Sequence, residues 1–168
     1  MSKKYISNKN KSVRMFENDT LEKLSRTHWS VPLIIFVPVL LYFLYQAIFV
    51  YAISAISIVL YLLLGVITWS FIEYLLHRFV FHYNFKSKIG KRVHFLFHGV
   101  HHDYPNDAKR LVMPPLVSIP MAALFYVSFT ALLGPVIAAP FLSGLAIGYL
   151  FYDMTHYAVH HAKIRNKF

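Results

Sequence analysis

Two stretches of this chain carry no charged residue, Val31 to Ser70 and Val112 to Tyr152. A helix that crosses a bilayer needs about 20 predominantly apolar residues, so each stretch holds two spans. The first span falls at about 32–51 and the second starts at about 53, with a tight uncharged hairpin near Val50–Ser54. Gly134–Pro135 divides the later stretch into a third span at about 115–133 and a fourth at about 138–155. The second span does not stop at the far interface. Its apolar pattern runs on through Trp69, Phe71, Tyr74, Leu75 and Leu76. At 1.5 Å per residue, a helix of roughly 25–29 residues measures about 40 Å, against a hydrocarbon core of roughly 30 Å. Its last two turns should project from the membrane and carry Glu73, His77 and His82 with them.

The segments outside the spans are polar. Residues 1–15 read as a basic tail, and Asp19 followed by Glu22 resembles a capping box. A short interfacial helix is expected from Thr20 to about Trp29, with Leu21, Leu24 and Trp29 toward lipid. Residues 83–111 connect the second and third spans, with a break at Gly90 and a helix over about Lys91–His102. Pro105 and Asn106–Asp107 end that helix, and Pro114–Pro115 open the third span. The predicted domains are 1–30, tail and interfacial helix, and 31–168, the membrane domain.

Composition agrees with this pattern: 57% of residues are hydrophobic, 14% are charged and the mean hydropathy is +0.49. The placement of charge sets the orientation. Of 17 Lys and Arg, seven precede residue 27, six lie between Lys86 and Arg110, three follow residue 162, and Arg78 is the remaining one. Neither outer hairpin turn is charged, so the positive-inside rule puts both termini in the cytosol, at a bacterial inner membrane or the endoplasmic reticulum. The same rule accounts for the net charge of +10 without a nucleic-acid partner. The polar N-terminus lacks the pattern of a cleavable signal. The fold class is therefore an all-α membrane protein, four transmembrane helices in two hairpins under a cytosolic, histidine-rich, metal-binding cap.

The candidate chemistry lies in that cap. With no cysteine in the chain, a metal must take imidazole, carboxylate or water. Six of the ten histidines fall between Glu73 and His102. His98, His101 and His102, at i, i+3 and i+4, share one helical face, as do His156 and His160 at i, i+4. His77 and His82, at i, i+5, lie about 140° apart on an ideal helix, so His82 must sit where the helix ends or bends. His94, one turn before His98, reads as a ligand or a hydrogen-bonding neighbour, and His161, beside His160, is equally open. Glu73 precedes His77 by four residues and Asp153 precedes His156 by three, where a carboxylate could fix the ring tautomer. Either acid could also be a plain helix-end charge. His28, Tyr104, Tyr152 and Tyr157 read as interface residues.

HxxxxH (His77–His82), HxxHH (His98–His102) and HxxxH (His156–His160) resemble the histidine boxes of the membrane fatty acid hydroxylase superfamily. The surrounding EYLLHRFVFH, HFLFHGVHHDYPNDAKRLVMPP and YDMTHYAVHH resemble its fatty acid 2-hydroxylase branch, which acts on acyl chains often found in sphingolipids. The resemblance covers residues 70–161 closely. It implies a dinuclear centre held by His77, His82, His98, His101, His102, His156 and His160, with His94 and His161 not binding metal directly. Iron is expected for the hydroxylation of an α-carbon with O2, and zinc is the alternative occupant. A separate electron donor, cytochrome b5-like or ferredoxin-like, is also implied. The family carries another HxxHH box a few residues beyond the position of His161. The sequence stops at Phe168 before it, so a C-terminally truncated chain is expected. Two other readings remain: a sterol or carotenoid oxidase of the same superfamily, which the HDYPNDAKRLVMPP stretch disfavours, and a metal-binding membrane protein without catalysis, should the protein truly end at Phe168.

Overall fold

The structure is a computed structural model that describes residues 12, 14–81, 83, 85–95 and 99–161, with Phe81, Val93 and His101 described by backbone only. Every regular element among them is helical. Helix α1 covers Asp19–Leu24, α2 Ser30–Tyr45, α3 Ala55–Leu75, α4 Lys88–His94, α5 Val100–Asp103 and α6 Pro115–His161. Wider π turns prolong α2 through Gln46–Val50 and α3 through Leu76–Phe81. Among the described residues, three helices are thus long and apolar enough to cross a membrane. Their outward faces carry Ile34, Phe49, Ile56, Leu132 and Phe151, each more than two-thirds exposed, as lipid-facing positions require.

Helix α6 is not straight. Gly134 has φ 73° and ψ 158°, a conformation open to glycine and costly for other residues. Phe129 and Phe141 lie on either side of it with ring centroids 4.7 Å apart. A straight helix would separate their Cα atoms by roughly 18 Å. The run therefore folds back at Gly134, with Pro135 opening the returning half.

The returning half of α6 packs along α3, and glycines set how near the two backbones come. A Cβ on Gly65 would collide with the backbone of Phe141 and Leu145, and one on Gly144 with the backbone of Leu62. A Cβ on Gly148 would press on the Trp69 side chain. Small residues at such crossings substitute close dispersion contact for the hydrophobic drive that lipid does not supply. Around this seam, Phe36, Trp69, Phe141, Leu142, Leu145 and Tyr149 form the buried core. Ser143 adds a hydrogen bond of 3.0 Å to the Leu40 carbonyl, fastening α6 to α2.

Three local expectations are corrected. Helix α1 is capped by Asn18, whose Oδ1 accepts from the backbone N–H groups of Thr20 and Leu21 at 2.9 and 3.1 Å, rather than by an Asp19–Glu22 box. It ends at Leu24, well short of Trp29, because the Thr27 N–H turns away to the Lys109 carbonyl at 2.8 Å. Gly90 is not a break: the Ser87 hydroxyl accepts its N–H at 3.0 Å and starts α4 at Lys88, upstream of the glycine.

Candidate metal centre

The π turn at the end of α3, Leu76–Phe81, contains His77, the first residue of the first histidine pair. In a π turn the backbone bonds run i→i+5, a wider winding than that of an α-helix. His82 itself lies outside the described residues, as does His98, and the side chain of His101 is not described.

Three segments bring the other imidazoles together. The charges of His160, His77 and His102 all bear on the His156 ring, which places the ends of α3, α5 and α6 at one locality. His156 and His160 have ring centroids 4.9 Å apart, and Tyr152 stacks on His156 at 5.9 Å. The His160 ring also meets the Pro105 carbonyl, which ties the loop after α5 to the end of α6. Among the described residues, no three of the histidines and acids are close enough to hold one ion by themselves. The His94 ring packs beside Phe85, at 6.2 Å between centroids. His161 stacks on Tyr157 at 4.8 Å, on a different side of α6 from His156 and His160. The thiolate-free donors that do converge are of the nitrogen-rich kind that suits iron or zinc.

The two acids sit deeper than the rings. Glu73 is buried beside the Tyr152 hydroxyl. Asp153 is buried too; it accepts the Met113 N–H at 3.4 Å and stands beside the Tyr149 hydroxyl. Among the described residues each acid thus has a tyrosine hydroxyl beside it, Tyr152 for Glu73 and Tyr149 for Asp153. Sequence reasoning assigned Tyr152 to the interface and passed over Tyr149. The available signal was their spacing, since Tyr149 precedes His156 by seven residues, nearly two full turns along one face.

A cavity of about 210 Å³ opens beside these groups, bordered by Glu73, Tyr152, Asp153 and His156 on one side and roofed by Met15, Phe16, Leu21 and Leu24. The roof is held by ion pairs that the sequence did not reveal. Arg110 Nη2 lies 2.6 Å from Glu22 Oε1, and Arg26 approaches the same oxygen at 2.7 Å. Arg110 also faces Asp107 at 3.6 Å and reaches the Ser25 hydroxyl at 2.9 Å. Glu22 Oε2 accepts the N–H groups of Met15 and Phe16 at 2.9 and 3.0 Å. Burial alone would raise the Glu22 pKa, but these N–H groups and the two guanidinium groups hold it below the usual carboxylate range.

Comparison with known proteins agrees with this architecture. The chain is 37% identical over 150 residues to a dihydroceramide fatty acyl 2-hydroxylase of Arabidopsis thaliana, covering 89% of this chain and 63% of that protein. It is 36% identical over 168 residues to the fatty acid 2-hydroxylase of Rattus norvegicus, covering 88% and 45%. A solved structure of scs7p, with only the hydroxylase domain visible, superposes with a TM-score of 0.81 at 38% identity, covering 89% of this chain and 56% of that one. The chain thus spans between 45% and 63% of the length of these two curated relatives. Residues 62–168 match the model of the fatty acid hydroxylase family, which is well over half of the chain, and the chain belongs to that family.

Proposed function

We propose that this chain is the membrane domain, 31–168, of an O2-dependent hydroxylase that acts on the α-carbon (C2) of fatty acyl chains in lipids. The observation that carries the reading is the convergence of His77, His102, His156 and His160 from three segments beside a cavity with an apolar roof. The relatives named above, a fatty acid 2-hydroxylase and a dihydroceramide fatty acyl 2-hydroxylase, support the substrate class.

In this reading His77, His82, His98, His101, His102, His156 and His160 hold a dinuclear iron centre, with zinc as the alternative occupant. Iron held there would supply the redox chemistry that an unactivated C–H bond demands and that no side chain offers. The chain's own residues do the rest. The Pro105 carbonyl fixes the tautomer of the His160 ring. Glu73 and Asp153, with Tyr152 and Tyr149, form a polar floor beneath the imidazoles, and Met15, Phe16, Leu21 and Leu24 keep water from the acyl chain. The net reaction consumes O2, two electrons and two protons, and yields the C2 alcohol and water. The electrons come from a separate donor, cytochrome b5-like or ferredoxin-like.

The fold-back at Gly134 supports four membrane passes, because each half of α6 is long enough to cross alone. The charge distribution supports cytosolic termini and a cytosolic histidine cap. The test is to supply iron, a reductant and acyl lipids to the protein in membranes and to locate the new hydroxyl by mass spectrometry. Product at C2 is expected, and hydroxylation elsewhere on the chain would overturn the assignment.

A further inference from the structure

A second cavity, of about 350 Å³, lies within the helix bundle and is lined by Phe36, Tyr42, Trp69, Ala122, Phe125 and Leu145 among others. Tyr149 borders both this cavity and the one beside the histidines. Its ring is held edge-on by Phe36 at 5.0 Å and Trp69 at 5.2 Å, and its hydroxyl stands between Asp153 and Ser118. Being seven residues before His156 on the same helix, it lies roughly 10 Å below that ring.

We propose that the two cavities are consecutive segments of one acyl channel, and that Tyr149 is the partition that sets how long a chain the protein accepts. The inference rests on the acyl-lipid reading above and adds the path of the tail. A substrate whose α-carbon lies beside the imidazoles must direct its remaining methylenes away from them. The polar floor of Glu73 and Asp153 offers those methylenes nothing, whereas the second cavity is walled almost wholly by apolar side chains. Its borders Val39 and Tyr42 are exposed on the lipid-facing surface, so its far end meets the bilayer and an acyl tail can enter sideways without crossing water. Its lining also includes the small residues Ala122, Ala123 and Ala146, which leave the width a polymethylene chain needs. Specificity for chain length then resides in Tyr149 and these alanines, away from the histidine motifs.

Two measurements test the channel. In the first, acyl lipids graded in chain length are offered to the protein and to Tyr149→Ala and Ala122→Phe variants. Ala122 touches only the second cavity, so Ala122→Phe remains informative should Tyr149→Ala fail to fold. Plugging the channel should cut C2 hydroxylation of long chains roughly tenfold relative to short ones, and opening the partition should shift the profile toward longer chains. The second measurement needs no activity. The chain has two tryptophans, so Trp29→Phe leaves Trp69, 2% exposed, as the single indole. Trp69 lies eight residues before His77, roughly 12 Å along the helix, so a fatty acid brominated at mid-chain should quench it far more than brominated bulk phospholipid does. Equal quenching by the two, or an unchanged chain-length profile in both variants, would overturn the channel. Wild-type protein that quenches as expected yet makes no C2 alcohol would instead overturn the proposed activity and leave the channel standing.

Discussion

Arg110 and Glu22 form a 2.6 Å ion pair across 88 residues of sequence, with both side chains removed from solvent. The pair joins the segment that roofs the histidine-side cavity to the loop between α5 and α6. Removing one member of a buried pair leaves the other charge uncompensated, which typically costs about 3–5 kcal/mol. Asp107 at 3.6 Å offsets part of that for Arg110, so Glu22→Gln should sit near the low end, about 3 kcal/mol. The loss should appear as faster amide exchange and protease cleavage through residues 14–27, while the bundle of α2, α3 and α6 keeps its protection. Unchanged exchange in that segment would show that the roof does not depend on the pair.

Acid should weaken the same contact. The Glu22 pKa is held below the ordinary value of 4.5, so its carboxylate contribution is fully present above that value. It is lost as pH falls through the lower, folded-state value, because only then does the folded protein bind the proton the unfolded chain has already taken up. Cleavage of the roof in wild-type protein should therefore accelerate below pH 4.5, and the Glu22→Gln variant should be fast at every pH with a flatter profile. Parallel profiles would remove Glu22 as the titrating group.

These pairs also mark where sequence reading ended. Uncharged stretches of the length a bilayer dictates made α2, α3 and the two halves of α6 legible, and a Gly134–Pro135 dipeptide marked the fold-back. Histidine spacing on a 3.6-residue helix pointed to His102, His156 and His160, which lie at one locality with His77. What failed to show was long-range pairing of single charges. Glu22 reads as a local cap and Arg110 as one more inside-positive charge, because nothing in either neighbourhood says they meet. The π turn after α3 was hidden for a related reason. Its winding is a property of packing at that helix end, which the residue pattern of Leu76–Phe81 does not encode.

The glycine seam predicts two kinds of substitution cost. Gly144→Ala places a methyl against the Leu62 backbone, which has no side-chain freedom with which to yield. Overpacking of this kind costs about 1–3 kcal/mol, and Gly65→Ala should behave alike. Gly134→Ala meets no atom within 4 Å, yet forces alanine to adopt φ 73°. A strain of about 1–3 kcal/mol is expected there, from conformation rather than contact. Thermal unfolding in detergent measures all three. The contact cost at Gly144 should grow from Ala to Val, whereas Gly134→Asn should lose about as much as Gly134→Ala, since φ 73° with ψ 158° lies outside the left-handed helical region that asparagine tolerates. Full stability in the asparagine variant would mean that the fold-back does not depend on the backbone freedom of glycine.

The proposed ligand set predicts a sharper contrast within one helix. His160 lies with His156 in the group that converges with His77, whereas His161, one residue on, stacks on Tyr157. Replacing His160 with Ala should lower bound metal per protein while membrane insertion and helical content stay as they were, because a half-buried ring at a helix end contributes little to the bundle. Replacing His161 with Ala should leave metal content unchanged. His101→Ala, from the proposed set in α5, should behave as His160→Ala does. Metal analysis of protein purified with iron or zinc, paired with circular dichroism, separates ligation from folding. Should His161→Ala release metal and His160→Ala retain it, the face of α6 assigned to the centre would be the wrong one, and the i, i+4 spacing of His156 and His160 would be a feature of the interface alone.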